Sequence, residues 1–533
     1  MINRREFIKF GGVAASTLVL KPLHGLANTS HTQNEYLAVH PFIENNPDAV
    51  FIMKTSVDNK KNAAAIKQAA LDFGSNVFTT TSDSSKGVPF DYNVVIKPNL
   101  TSRGEWQEGY TVEGTMGVIT DANFVEGIIE RIKNLGVSAG NFYIREVNGT
   151  ENLTDGGYAA MGSRTGADVK VISTRVDKQN ADKIVWKDVP DGIWFNKIPY
   201  LWPVNSPNSW LLNISKLKTH GMGVTLCAKN LQGTIAANYQ QHCTSFYSSM
   251  SIDSAHIQDK AKINIQNNYD RHVYDGIPRW DRPGADGGIW METWASRNID
   301  NNLTLKPALN IVEGVYGRDG NFVLGPHDGL AQDYMTNVII FGKNSYYVDV
   351  IGHWIAGHEP GNFGLFHLAK ERGLITTFNP SNIPIYEWSS DGTVKMISLS
   401  DLERTPLVTY YLQRDYDGQS EEYWHMCNEP FEYSDTGISR NKPGQPDTFI
   451  LKNNYPNPFN ATTSIEFELH KNGRARLEVY NIHGERVQVL VDGYLQKGSH
   501  LVRWEMNNLS SGTYFYTLMF DSQKITKQMT LIK

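Results

Sequence analysis

Residues 210–236 read WLLNISKLKTHGMGVTLCAKNLQGTIA, and the rest of the chain is read outward from them. The apolar run WLLNI suits a buried strand, and Lys216 and Lys218, two apart, leave the same side of it. THGMG follows as a glycine-containing turn, and VTLCAKNLQG reads as a short helix carrying Lys229 and Asn230. A strand, a turn and a helix start flanked by lysines make an anion site. Backbone N–H groups and the positive end of the helix dipole face the ligand, and the lysines add full charge. The plainer reading is a solvated strand end and an ordinary turn. Three lysines, a histidine, an asparagine and two glycines within fifteen residues favour the site. No Gly-Lys-Ser/Thr follows the glycines, so this is not a Walker loop.

Upstream, strand and helix alternate. AVFIM at 49–53 and VVIK at 94–97 are short apolar runs, and between them residues 60–73 carry apolar residues at helical spacing. Residues 123–135 place Phe124, Ile128, Ile129 and Ile132 on one helical face, and Gly136 caps it. Strands are expected at 141–147 and 167–173. This is the pattern of an α/β fold: a mainly parallel sheet, buried on both sides, with flanking helices. Ligands in such folds sit beyond the carboxyl ends of the strands. Lys97 with Asn99, Glu146, Lys216 with His220, and Glu313 all fall at such ends.

The strings KLKTH and AKNLQG resemble the signature of the bacterial and archaeal family called domain of unknown function 362. VVIKPNL at 94–100 is similar to that family's first strand with its Pro-Asn pair. The segment 349–374, DVIGHWIAGHEPGNFGLFHLAKERGL, is similar to its closing aspartate, helix and Gly-Leu. The resemblance spans about 48–374 and implies a site built from Lys97, Asn99, Lys216, Lys218, His220, Lys229, Asn230 and Asp349. Of these, Lys97, Asn99, Lys216, Lys229 and Asn230 would bind an anionic substrate, and Lys218, His220 and Asp349 would do chemistry. His220 suits a general base, a metal ligand or a hydrogen-bonded turn residue. Asp349 suits a cation ligand or the cap of a helix starting near Val350. The sequence names no cofactor, although a divalent metal would suit these two residues. Many relatives append a ferredoxin-like cysteine cluster; this chain has no such iron–sulfur motif.

The net charge of −6 argues against a nucleic-acid surface, and no apolar run approaches the roughly 20 residues of a membrane span. Cys227, Cys243 and Cys427 form no CxxC pattern and no disulfide framework. Residues 3–9, NRREFIK, resemble the twin-arginine export consensus, with an apolar stretch and a small-residue cleavage site behind them. A signal at 1–30 would engage the twin-arginine translocase. From 449 to 533 short alternating strands separated by Gly and Asn turns predict an antiparallel β-sandwich. Its YPNPFN opening, VYNIHGERVQVLV, LSSGTYFYTL and final LIK resemble the type A sorting domain of the type IX secretion system. That resemblance implies handling by the type IX machinery, then release or anchoring at the cell surface. The central domain is expected at 35–413 and a Pro-, Gly- and acid-rich linker at 414–448.

Three clusters have two readings each. His327-Asp328, His353 and His358-Glu359 could ligate a metal, although His353 and His358 are not spaced as i, i+4. EGVYGRDG at 313–320 suits a bound cation or a tight turn. The aromatic insertion 269–294 could expose Trp280, Trp290 and Trp294 as a contact surface, or pack as a long loop. The expected function is an exported enzyme acting on a small anionic or sugar-derived molecule. A non-catalytic surface binding protein and a redox accessory protein are the alternatives.

Overall fold

The computed structural model describes residues 17–19, 35–100, 116–146, 153–154, 156–169, 184–220, 223–236, 256–275, 277, 280–281, 289–320, 324–325, 327–405, 407, 412–414, 422–423, 431–433, 449–452, 454–482, 485–505, 509–520 and 523–532. The expected linker and all but three residues of the expected signal lie largely or wholly outside these. The chain divides into two compact units, residues 1–439 and 440–533.

The first unit is built on a twelve-stranded sheet. Its strands in chain order are β1 (Thr17–Val19), β2 (Val50–Lys54), β3 (Asn93–Pro98), β4 (Phe142–Ile144), β5 (Asp168–Val169), β6 (Ser209–His220), β7 (Gly223–Thr225), β8 (Leu309–Arg318), β9 (Asp333–Tyr334), β10 (Val338–Gly342), β11 (Ile385–Trp388) and β12 (Thr393–Ile397). Across the sheet the order is β1-β12-β11-β2-β10-β8-β6-β3-β4-β5, with β7 hairpinned onto β6 and β9 onto β8. The five strands β5, β4, β3, β6 and β8 run parallel; beyond them β10 is antiparallel to β8 and β2, β11 pairs β2 in parallel, and β12 and β1 follow antiparallel. The α/β class with a mainly parallel sheet is what the structure has.

Helices cover both faces. On one face α1 (Ala63–Val77), α2 (Ala122–Asn134) and α3 (Tyr158–Thr165) bury Ile66, Phe73, Phe124, Ile128 and Tyr158 against Val94, Ile96, Leu212 and Ile214. Helix α2 starts where Asp121 accepts from the Asn123 N–H, carries Arg131 and Lys133 in its last turn, and is followed by Gly136 at φ +119°. The other face is packed by α4 (Cys227–Asn230), α5 (Ala261–Tyr274), α6 (Ile289–Thr304), α7 (Ser345–Ile355) and α8 (Gly364–Glu371). Their Leu231, Trp294, Ile351 and Phe366 neighbourhood meets Val95, Leu211 and Leu217. Asn344 starts α7 by accepting from Tyr346 and Tyr347, so Asp349 lies inside this helix and does not cap one beginning near Val350. Among the described residues no helix is long and apolar enough to cross a membrane.

The second unit is all antiparallel. Strands β13 (Phe449–Leu451), β14 (Thr462–Leu469) and β17 (Gly498–Glu505) form one sheet. Strands β15 (Gly473–Asn481), β16 (Arg486–Leu495), β18 (Gly512–Phe520) and β19 (Gln523–Leu531) form the other, in the order β16-β15-β18-β19. Alternate residues of β14 are buried, and Ile465, Phe467 and Leu469 join Leu477, Trp504, Tyr516 and Leu518 in one core.

Candidate functional site

Strand β6 sorts its side chains by parity. Leu212 and Ile214 pack into the core with α1 and α2, and Leu211 and Leu217 into the opposite one. Lys216 and Lys218 therefore leave on the α2 face, whereas Asn213 and Ser215 face the α4 and α7 side. The expected order of turn and helix after β6 is corrected by the hairpin. Gly223–Thr225 first pairs back on Lys218, Thr219 and His220, and only then does α4 begin at Cys227. The three residues are β-branched or Gly at a strand edge, and the antiparallel ladder outweighs their place in a helix-like pattern.

On the α2 face, the Lys216 ammonium lies 2.6 Å from Glu313 and 3.3 Å from the Tyr316 ring centroid, with Lys216 and Glu313 fully buried. The Glu313 carboxylate also accepts from the backbone N–H of Asp121 and Val315, and the Tyr316 hydroxyl donates to Asp121 at 2.7 Å. Burial, and then the Asp121 charge, push the Glu313 carboxyl up against the pull of Lys216. Two residues on, β8 bulges, so Lys218 is opposite Arg318. Burial pushes the Lys218 ammonium well below its ordinary value; Lys229, Arg318 and Lys216 push the same way, and Glu146 opposes them. Arg318 is anchored by Asp333 at 2.6 Å, which Lys60 also meets at 2.5 Å. A cavity of about 230 Å³ lies on the α2 and α3 side, lined by Asp121, Asn123, Arg164 and Tyr316 among others and by none of Lys218, Lys229 and Arg318. A larger cleft, about 460 Å³, lies at the opposite ends of β6 and β8, away from the lysines.

Of the other predicted residues, Lys97, Asn99 and Asn230 form a saturated polar layer, while Lys229 lies in α4 and His220 ends β6. Lys97 spends all three of its donors on protein, reaching Glu146 at 2.5 Å, the Pro98 carbonyl at 2.6 Å and the Asn230 side-chain oxygen at 2.9 Å. Burial lowers its ammonium and Glu146 resists. Asn230 accepts from Lys97 and Asn99 and donates to the Lys97 carbonyl and to Asn213. The amide chain continues from Asn213 to Asn310 and on to the Lys343 carbonyl. Gly233 sits against this layer: a β-carbon there would come within 2.3 Å of Glu146 and 2.8 Å of the Lys97 nitrogen.

Asp349 occupies the helix N-terminus at which the sequence placed an external anion. Its two carboxylate oxygens accept from the Cys227 and Ala228 N–H groups at 2.7 and 2.8 Å. Burial pushes Asp349 up to about 8, against the pull of those N–H bonds. Cys227 is a buried free thiol, pushed up by burial and by Asp349; Cys243 and Cys427 lie outside the described residues.

The histidine clusters do not converge. His353 bonds the Asp349 carbonyl one turn back and stacks on Phe363 at 4.8 Å; burial, then His358, push it down to about 3. His358 bonds the Leu407 carbonyl and His367 the Gly361 carbonyl. Among the described residues no three His, Cys, Asp or Glu side chains are grouped as metal ligands. His327 meets the buried Asp319 at 2.6 Å.

The aromatic insertion is a supporting wall where its side chains are described. Trp294 is fully buried and donates to Gln232, so it is not part of an open contact face. Asn298 and Asn302 of α6 donate to the Ala228 carbonyl, bracing α4 from behind. His272 lies between Glu292 and Glu371, tying α5 to α6 and α8. The side chains of Trp280 and Trp290 lie outside the described residues.

Sequence reasoning missed Asp121, and it carried Tyr316 and Arg318 only inside EGVYGRDG, read as a cation site or a tight turn, whereas both lie in β8. Asp121 had a signal, an acidic residue just before a periodic helix. Arg318 had none, because a bulge decides what it faces.

Residues 94–353 match a family described as domain of unknown function 362, and residues 453–533 match the secretion system C-terminal sorting domain. A search of curated proteins finds no match. The family match runs from the second residue of β3 to His353 in α7 and so takes in the whole lysine-bearing end of the sheet. The chain is a secreted or cell-surface protein that carries a domain of unknown function 362 and, behind it, a type IX secretion C-terminal sorting domain.

Proposed function

We propose that the first unit is an enzyme acting outside the cell on a small anionic molecule, bound where Lys218, Lys229 and Arg318 meet beyond β6 and β8. The observation that carries this reading is Lys218: a lysine 2% exposed, pressed by three neighbouring cations. Such an arrangement costs the fold stability, and a ligand with negative charge relieves it. Lys97, Lys216, Asn99 and Asn230 then serve as the rigid floor, Asp349 holds α4 in place, and His220, at the end of β6, is assigned to the chemistry. The exported state follows from a twin-arginine signal in residues 1–30, which the RREFIK motif supports.

Calorimetric titration of the full chain with inorganic phosphate, pyrophosphate and citrate tests the site. Binding of at least one anion is expected, with a clear loss of affinity in Lys218→Met and in Lys229→Ala. Absence of binding by all three would remove the anion site. Replacing Arg4 and Arg5 by lysine tests the export route; continued export of the unfolded chain through the general pathway would remove the twin-arginine reading.

A further inference from the structure

Beyond the strand pair that carries Lys218 and Arg318 lies a cluster that the anion site as described does not use. Asp319 follows Arg318 directly and is fully buried. One of its oxygens accepts from the Gln332 N–H at 2.7 Å. The other faces His327 Nε2 at 2.6 Å and accepts from the Tyr334 hydroxyl at 3.2 Å. A carboxylate only accepts, so Nε2 carries a proton, with the Tyr334 hydroxyl oxygen 3.1 Å away, and in the neutral form of the ring the lone pair is on Nδ1. That nitrogen has no partner among the described residues, and the His327 side chain is one-third exposed. The ring is half in and half out, with its inner nitrogen committed.

Its backbone is held as well. His327 and Leu330 exchange both backbone bonds across a turn in which Asp328 adopts φ +52°, between the short strands Leu324–Gly325 and Gly329–Leu330. The Tyr334 phenol is pushed up to about 12 by burial and by Asp319, so it stays a donor at neutral pH. The tie to the lysines is short. Thr219, between Lys218 and His220, donates to the Gly320 carbonyl at 2.7 Å, and Gly320 follows Asp319.

We propose that His327, aligned by Asp319, is the proton-transfer residue for a molecule bound at the lysines, a proposal that rests on the anion-site reading above. Its Nδ1 lone pair takes a proton from a hydroxyl or water beside the bound anion: the O–H bond breaks and an N–H bond forms. The imidazolium so formed is stabilised by Asp319, and the proton is returned to the same ligand or to water. Asp319 is the positioning residue and His327 the group that touches the ligand.

Diethyl pyrocarbonate, which acylates a bare imidazole nitrogen, tests this on the full chain with peptide mapping by mass spectrometry. His327 is expected to react in the free protein, to be protected by pyrophosphate, and to lose that protection in Lys218→Met. A long-range proton–nitrogen spectrum is expected to place the His327 proton on Nε2, and Asp319→Asn to mix the two tautomers and slow acylation. Calorimetry on the same samples reports whether pyrophosphate binds. If it binds and His327 reacts at an unchanged rate, the dyad is away from the ligand and the proposal fails. If pyrophosphate does not bind, whichever of phosphate and citrate binds replaces it as the protecting anion; if none of the three binds, the anion-site reading fails and the proposal that rests on it is overturned with it. A proton on Nδ1, or an Asp319→Asn variant with unaltered tautomer and rate, would separately overturn the alignment by Asp319.

Discussion

Lys216 and Lys218 are two residues apart on one strand, leave it on one face and are both buried, yet their surroundings are opposite. Lys216 has a carboxylate at 2.6 Å and an aromatic face at 3.3 Å, and it closes a local circuit of charge with Glu313. Lys218 faces Lys229, Arg318 and Lys216, with Glu146 pulling the other way. Burying a charge is costly unless it is paired in good geometry. The first lysine satisfies that condition within the fold. The second is pushed well below its ordinary value by burial and by three cations, with Glu146 opposing, and it stands at the end of parallel strands, which is why the proposed anion site is placed there.

The largest expected effect is on the paired side. Lys216→Met leaves Glu313 buried without its cation and should cost about 3–5 kcal/mol in the unfolding transition of the first unit, read by chemical denaturation. Adding Glu313→Leu to that variant should recover much of the loss, because the uncompensated charge goes with it. A loss that the second substitution does not recover would mean packing of the lysine stem, and not the ion pair, holds this region.

Trp294→Ala comes next and extends the comparison to the wall behind the site. Removing a fully buried indole that bonds Gln232 should cost about 3–5 kcal/mol, toward the lower end where Phe363 can relax into the space. Anion affinity should fall with it, since α6 braces the Ala228 carbonyl. A stable variant with lost binding of a sugar-like ligand would instead return the insertion to the role of a contact surface.

How far this could be read beforehand follows from the physics of each residue. The period of two in WLLNISKLK placed both lysines on one face, and the apolar runs and helical spacing around it were enough for an α/β sheet. The alternation in SIEFEL likewise matched the buried positions of β14. Partners distant in the chain were not legible. Asp349 is 122 residues from the N–H groups it binds, and nothing local to DVIGHW points to Cys227. The bulge in β8 sets Lys218 against Arg318 and could not be counted from spacing. Lys97 and Asn230 look like ligand-binding residues in a string, and the hydrogen bonds that tie them to Glu146, Asn99 and Asn213 were not legible there.

Asp349 carries the third prediction, in pH. Its carboxyl rises from an ordinary 3.8 to about 8, so between those values the folded chain holds a proton that the unfolded chain has lost. Stability is then fully present below about pH 4 and declines as pH rises toward 8, by at most about 1.4 kcal/mol per pH unit. Asp300, raised to about 7 by burial against three backbone N–H bonds, adds the same sign over the lower part of that range. Urea unfolding between pH 5 and 8 should show the decline, and Asp349→Asn should flatten it. No decline would mean that the N–H groups of Cys227 and Ala228 hold the carboxylate ionised, and that the N-terminus of α4 stores a fixed negative charge under the site.

The smallest stability effect is expected at Lys218, and its sign matters more than its size. If the fold penalises the Lys218 charge, Lys218→Met removes the penalty and keeps most of the apolar stem. The first unit should then be unchanged or more stable by on the order of 1 kcal/mol, while anion affinity collapses. Stability and binding would move in opposite directions at position 218 and in the same direction at position 216. A destabilised Lys218→Met with intact anion binding would make the two lysines equivalent: both would be parts of one internal charge network, and the ligand would have to be sought elsewhere. Because both variants remove one positive charge from the same face of the same strand, long-range electrostatics changes little between them. What differs is the immediate pairing, so the sign of the difference isolates it.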